Sequence, residues 1–151
     1  MQASPQIKDF IGRLEGCKLL AYKPLSTDRW TIGYGSTYYT PTDPVQQGDT
    51  ISQDTADELL SDRVDAIAQG LSLSNIPNSV TQNQFDAVVS LVYNIGLTGF
   101  KSSATGKLFY AGLSISDKFA QWNKSDGKII TGLVVRRAKE KDIYDNSNYN
   151  S

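Results

Sequence analysis

The chain has 151 residues with 15 basic and 16 acidic side chains and a formal net charge of -1, which argues against a dominant nucleic-acid surface, though not against local basic patches, and so against nucleic acid as the main partner. It has no histidine and a single cysteine, Cys17, so a metal site built on thiolate or imidazole and an internal disulfide are both excluded, and no cofactor is expected. Its length is near the usual domain size, and its hydrophobic share of 39% can supply one modest core. Together these predict a single domain, residues 1–151, whose chemistry must use carboxylates, hydroxyls or backbone.

The first residues, Met1 to Pro5, lack the basic and apolar segments of a signal peptide, and no apolar run approaches membrane-spanning length. A chain soluble where it is made, without membrane insertion, is predicted. Ser4 suits an N-cap and Pro5 the first helical position, and Ile7, Phe10, Ile11 and Leu14 follow at helical spacing. Gly16 suits a left-handed helix terminator, which leaves Glu15 in the last turn. There the negative end of the helix dipole and partial burial would both oppose an ionised carboxylate, the condition a general acid needs.

From Cys17 to Thr40 the pattern changes to aromatic, β-branched and glycine residues. Leu19 to Tyr22, Trp30 to Gly35 and Ser36 to Tyr39 read as short antiparallel strands, the first two separated by the turn-forming segment Lys23 to Arg29. Residues 41–50, rich in Pro, Asp, Gln and Gly, read as a loop. Ser52 can cap a helix reaching about Gln69 and ended by Gly70, with Ala56, Leu59, Leu60, Val64 and Ile67 turned inward.

Thr81 with Gln84 fits a capping box ahead of Phe85, Val88, Val89 and Val92, the predicted spine of a helical lobe. Shorter helices are expected near 103–110 and 114–122, and a final one from about Leu133 to Tyr144 after the Asp126-Gly127 turn. Trp122 reads as a packing residue. Arg136, Arg137, Lys139 and Lys141 read as a solvated basic face, with one of the two arginines alternatively turned towards Glu15 or an anionic wall. The expected class is α+β: mostly helical, with a small antiparallel sheet lobe (about 15–50) and a helical lobe (about 51–145 plus the first helix).

Glu15-Gly16, Ala21-Tyr22 and Thr31-Ile32-Gly33-Tyr34-Gly35 resemble the amino-terminal signature of the phage-type lysozymes, the endolysins of glycoside hydrolase family 24. Gln84, Tyr93-Asn94, Gly96 and Phe100 are similar to that family's central helix and following turn. Trp122-Asn123, Gly127, Gly132-Leu133 and Arg136-Arg137 are similar to its closing segment. The resemblance runs in order from about residue 7 to 144. It implies a lysozyme-like two-lobed fold, the sheet lobe packed against the helical lobe with a cleft between them, and hydrolysis of the β-1,4 bond between N-acetylmuramic acid and N-acetylglucosamine in peptidoglycan. It further implies a monomer that waits in the host cytoplasm until a holin opens the membrane and then acts in the periplasm.

The resemblance also assigns roles. Glu15 takes the position of the acid and Thr31 that of the threonine opening the glycine-rich strand. The family's aspartate falls on Pro24 when counted from Glu15 and on Leu25 when counted from Thr31, and neither can ionise. Asp28 is the only acidic side chain between Glu15 and Thr31, and a turn longer by one residue would deliver it to the same place. An Asp28 held by Arg29, or serving only its turn, is the plainer alternative. Tyr93 and Asn94 take the sugar-binding positions, and Ser36 stands where many members carry a histidine. The same fold without turnover would be a peptidoglycan-binding module, and without a second carboxylate it could serve a lytic transglycosylase.

Overall fold

The computed structural model describes residues 1–151 as two compact units, one formed by Ile11–Arg63 and the other by Met1–Phe10 with Val64–Ser151. In chain order the elements are α1 (Pro5–Glu15), β1 (Lys18–Tyr22), β2 (Thr31–Gly33), β3 (Tyr38–Thr40), β4 (Asp43–Pro44), α2 (Gln53–Ser72), α3 (Gln82–Ile95), α4 (Leu97–Ser102), α5 (Ala104–Tyr110), a 3-10 helix (Ser116–Gln121), β5 (Lys124–Ser125), β6 (Lys128–Ile129) and α6 (Thr131–Asn146). The fold is mostly helical with small antiparallel sheets, the expected α+β class.

In the Ile11–Arg63 unit, α1 ends because Gly16 adopts φ 68°, a conformation that costs a residue with a Cβ but not glycine, while its N–H still reaches the Gly12 carbonyl at 3.0 Å. β1 and β2 then pair antiparallel, Tyr22 opposite Thr31 and Lys18 opposite Gly33, with a register slip between them. Their inward residues Ala21 and Ile32 join Val45 in a small core, against which Trp30, Tyr39 and Ile51 pack.

Residues 41–50 are more ordered than their composition suggests. β4 pairs with β3, the Val45 N–H donates to the Thr37 carbonyl at 2.9 Å, and Ala21 and Ile51 extend the ladder through Asp49 and Leu19 at 2.9 and 3.0 Å. Pairing to β1 and β3 overrides a local composition too polar and too short to carry a period of its own.

In the other unit α3 is buried almost all round, with Phe85, Ala87, Val88, Val89 and Leu91 at 0% exposure. Its start carries the expected capping box: Thr81 accepts from the Gln84 backbone and Gln84 returns to Thr81 N. α6 runs antiparallel to α3, since Asn83 donates to the carbonyls of Ile143 and Tyr144 at 3.1 and 2.9 Å while Ser90 meets Glu140 and Asn94 meets Arg137.

α2 does not stop at Gly70 but continues to Ser72. Gly70 is there for close packing, because a Cβ on it would lie 2.5 Å from Leu97 Cδ2. Ser4 caps α1 through the Ile7 N–H at 3.2 Å, and its own N–H and hydroxyl reach the buried Asp86 carboxylate at 3.1 and 2.5 Å. No helix is long and apolar enough to cross a membrane.

Candidate active site

Glu15, Asp28 and Thr31 all belong to the Ile11–Arg63 unit. Glu15 is the last residue of α1, one residue before the left-handed turn and three before β1 begins. Its side chain is exposed, not partly buried as expected. Thr31 opens β2 opposite Tyr22 and is 6% exposed. Its hydroxyl donates to the Arg29 carbonyl at 3.0 Å, which commits the proton and leaves both lone pairs of the oxygen as acceptors. Gly33, at φ 63°, then turns the strand back, and Ser36 returns to Ile32 through reciprocal backbone bonds of 2.8 and 2.9 Å.

Asp28 lies in the loop joining β1 to β2, half-buried. Its Oδ2 accepts the Leu25 N–H at 2.8 Å, and its own N–H donates back to the Leu25 carbonyl at 3.0 Å. The loop therefore holds the carboxylate by one oxygen, while Oδ1 makes no hydrogen bond to the protein. Arg29 does not pair with it: the guanidinium donates to Tyr38 Oη at 2.8 Å and rests 5.5 Å from that ring's centre.

Tyr93 and Asn94 end α3 in the other unit. Tyr93 is only 7% exposed, whereas Asn94 is exposed and lines a hollow of ≈ 480 Å³ with Ile95, Trp122, Leu133 and Arg137. Trp122 is half-buried rather than a core residue. Its Nε1 donates to Thr105 Oγ1 at 3.2 Å, and part of its surface faces the hollow.

Of the basic run of α6, Lys139 and Lys141 stay partly exposed but the two arginines are not on a solvated face. Arg136 and Arg137 are 8% and 1% exposed, and Glu140, one turn further along, is 0% exposed. Arg137 Nε donates to the Trp122 carbonyl at 2.8 Å, and its terminal nitrogens meet Glu140 Oε1 and Asn94 Oδ1. Burial draws the guanidinium below the ordinary arginine range, and the Glu140 charge opposes that. Glu140 was not among the residues singled out from the sequence, although its spacing from Arg136 and Arg137 puts all three on one helix face.

Known proteins are similar to this chain in sequence and fold. A family model described as phage lysozyme matches residues 12–140. An endolysin of Bacillus phage PZA is 40% identical over 147 residues, covering 95% of this chain and 55% of the relative. One of Acyrthosiphon pisum secondary endosymbiont phage 1 is 38% identical, covering 91% of this chain and 93% of the relative. The chain spans about half the length of the Bacillus phage relatives it matches. Among solved structures, an endolysin from Escherichia coli O157:H7 phage FAHEc1 superposes with a TM-score of 0.85 at 35% identity, covering 100% of this chain and 98% of that one. With the helix-end glutamate, the hairpin and the α3–α6 pair in place along the matched residues, the chain belongs to the phage lysozyme family.

Proposed function

We propose that this protein is an endolysin that hydrolyses the β-1,4 bond between N-acetylmuramic acid and N-acetylglucosamine in bacterial peptidoglycan. The observation carrying this is Glu15 at the end of α1, leading into a hairpin whose loop contains Asp28 and whose second strand opens with Thr31. Cleaving an acetal requires a proton on the departing oxygen and a base for the attacking water. Glu15 gives the proton. Asp28, through the oxygen its own turn leaves free, takes a proton from water and faces the developing sugar cation. The Thr31 hydroxyl oxygen, its hydrogen already committed to Arg29, holds that water by accepting from it. Inversion at the anomeric carbon follows if water fits between the carboxyl groups, which needs roughly 6.5 to 9.5 Å.

Tyr93 and Asn94 contact the sugars, and the 151 residues act as one monomeric lysozyme domain. The enzyme accumulates in the host cytoplasm, and a holin gives it access to the wall.

Digestion of purified peptidoglycan, followed by mass spectrometry and by proton spectra of the fresh reducing ends, tests this. Reducing muramic-acid ends of inverted configuration are expected. Anhydro-muropeptides would assign a lytic transglycosylase instead, and strand binding without products would assign a binding module.

A further inference from the structure

The Asn94 amide stands at the outer end of a series of contacts that begins at Glu140. Glu140 Oε2 accepts from Ser90 Oγ at 2.5 Å and from Arg136 Nε at 3.3 Å, while Oε1 receives Arg137. Arg136 also donates to the Ser90 carbonyl at 3.2 Å, tying the group to α3. Arg137, held on that side by Glu140 and on another by the Trp122 carbonyl, turns its remaining nitrogen to Asn94. A guanidinium has donors only, so the Asn94 atom that meets it must be the carbonyl oxygen. The NH2 group then faces the other way. It makes no hydrogen bond to the protein, and Asn94 is exposed beside the hollow it lines with Trp122.

We propose that Glu140 is a positioning residue for glycan binding: by locking Arg137 it fixes the Asn94 amide so that its NH2 is presented to the acetamido carbonyl of an N-acetylhexosamine. This rests on the endolysin function proposed above through the role of Asn94. An amide whose acceptor end is occupied by Arg137 meets the ligand with its donors, and the acetamido carbonyl is a strong acceptor for them. The wall of the same hollow is partly apolar, with Trp122 and Leu133 offering flat contact to a sugar ring or its acetyl methyl. Without the Glu140 charge, Arg137, 1% exposed, loses the carboxylate contact that sets its orientation. The Asn94 amide is then free to present either end.

The test is a double-mutant cycle on the full chain with N94A, E140Q and the pair, read as KM and kcat on soluble uncrosslinked glycan strands beside thermal melting. N94A and E140Q are each expected to raise KM by about three- to tenfold, the loss of one oriented hydrogen bond. The double variant is expected to resemble N94A alone. The side-chain amide resonance of Asn94 should shift in E140Q. Additive effects, or an E140Q protein that melts earlier with KM and the Asn94 resonance unmoved, overturn the proposal and leave Glu140 a structural counter-ion. Should E140Q fail to fold, S90A removes only the 2.5 Å bond to Glu140, and the same cycle with N94A must again be non-additive. A parent chain that binds strands without cleaving them overturns the endolysin function alone, because the cycle read as strand Kd still decides the role of Glu140.

Discussion

Asp28 Oδ2 accepts the backbone N–H of Leu25 at 2.8 Å, so the only carboxylate of the β1–β2 loop is anchored by the loop that carries it. A turn-stabilising role and a catalytic role make opposite demands on a substitution. An asparagine in this position could still accept from Leu25 but cannot act as base, so Asp28→Asn is expected to leave the melting temperature within a degree or two while lowering kcat by about 10² to 10⁴-fold. Turnover near the parental rate would assign Asp28 to the turn alone.

Glu15 sits at an exposed helix end, where an acid can be replaced without disturbing the core. Glu15→Gln is expected to lose about 10² to 10⁴-fold in lytic rate on peptidoglycan, with an unchanged melting curve and undiminished pelleting with insoluble wall. A variant that clears the substrate at the parental rate would remove Glu15 from the chemistry.

Thr31 separates hydroxyl from shape. Thr31→Ser keeps the donor to the Arg29 carbonyl and the oxygen proposed to hold water; Thr31→Val keeps the volume and loses both. Serine is expected to retain most of the activity, whereas valine is expected to lose about 10- to 100-fold in kcat, the cost of a badly placed reactant. Equal kcat in the two variants would show that the hydroxyl does not act in the reaction.

Local signals were legible where one residue's chemistry decides the backbone. Ser4 and Pro5 start α1, Gly16 ends it at φ 68°, and Thr81 with Gln84 builds the expected capping box. The places of Glu15 at a helix end, Asp28 in the following loop and Thr31 at the start of a strand were legible for the same reason, since adjacent turns and strands set them. What could not be read was set by partners far along the chain. On α6 the usual pattern is inverted: Val134 and Val135 are 43% and 49% exposed, while Arg136, Arg137 and Glu140 are buried. Hydropathy assigns those charges to solvent, whereas the pairing of the arginines with Glu140 and the contacts to Ser90, Asn94 and the Trp122 carbonyl offset the cost of burying them. Within 41–50, read as a loop, only the short strand Asp43–Pro44 and the bridge of Thr50 to Leu20 went unread, because β1 and β3 supply those pairings.

Two helical glycines should respond oppositely to alanine. A Cβ on Gly106 in α5 would meet the Phe100 carbonyl oxygen at 2.0 Å, a backbone atom that cannot step aside, whereas one on Gly99 in α4 meets nothing within 4 Å. Gly106→Ala is expected to cost about 3 kcal/mol or more in denaturant unfolding. Gly99→Ala should stabilise by about 0.5 to 1 kcal/mol through lower unfolded-state entropy. Similar midpoints for the two variants would contradict the packing of α4 on α5.

Tyr39 predicts a specific alkaline instability. Burial, then its hydrogen bond of 2.9 Å to Asp49, pushes the phenol up to about 12 from its usual 10.0, because ionisation would set a phenolate against a carboxylate. The sign follows from linkage: a folded-state value above the unfolded one means that the contribution is complete below pH 10 and is lost as pH rises towards 12. Tyr39→Phe lacks the proton and therefore the dependence. Other tyrosines of this chain, Tyr34, Tyr110 and Tyr149, are raised as well, so the parent's own alkaline unfolding curve cannot isolate the effect. The difference between parent and Tyr39→Phe can: their denaturant midpoints should be furthest apart below pH 10 and draw together above it. Midpoints separated by a constant amount across that window would mean that Tyr39 ionises equally easily in the folded and unfolded chain, with Asp49 exerting no hold on it.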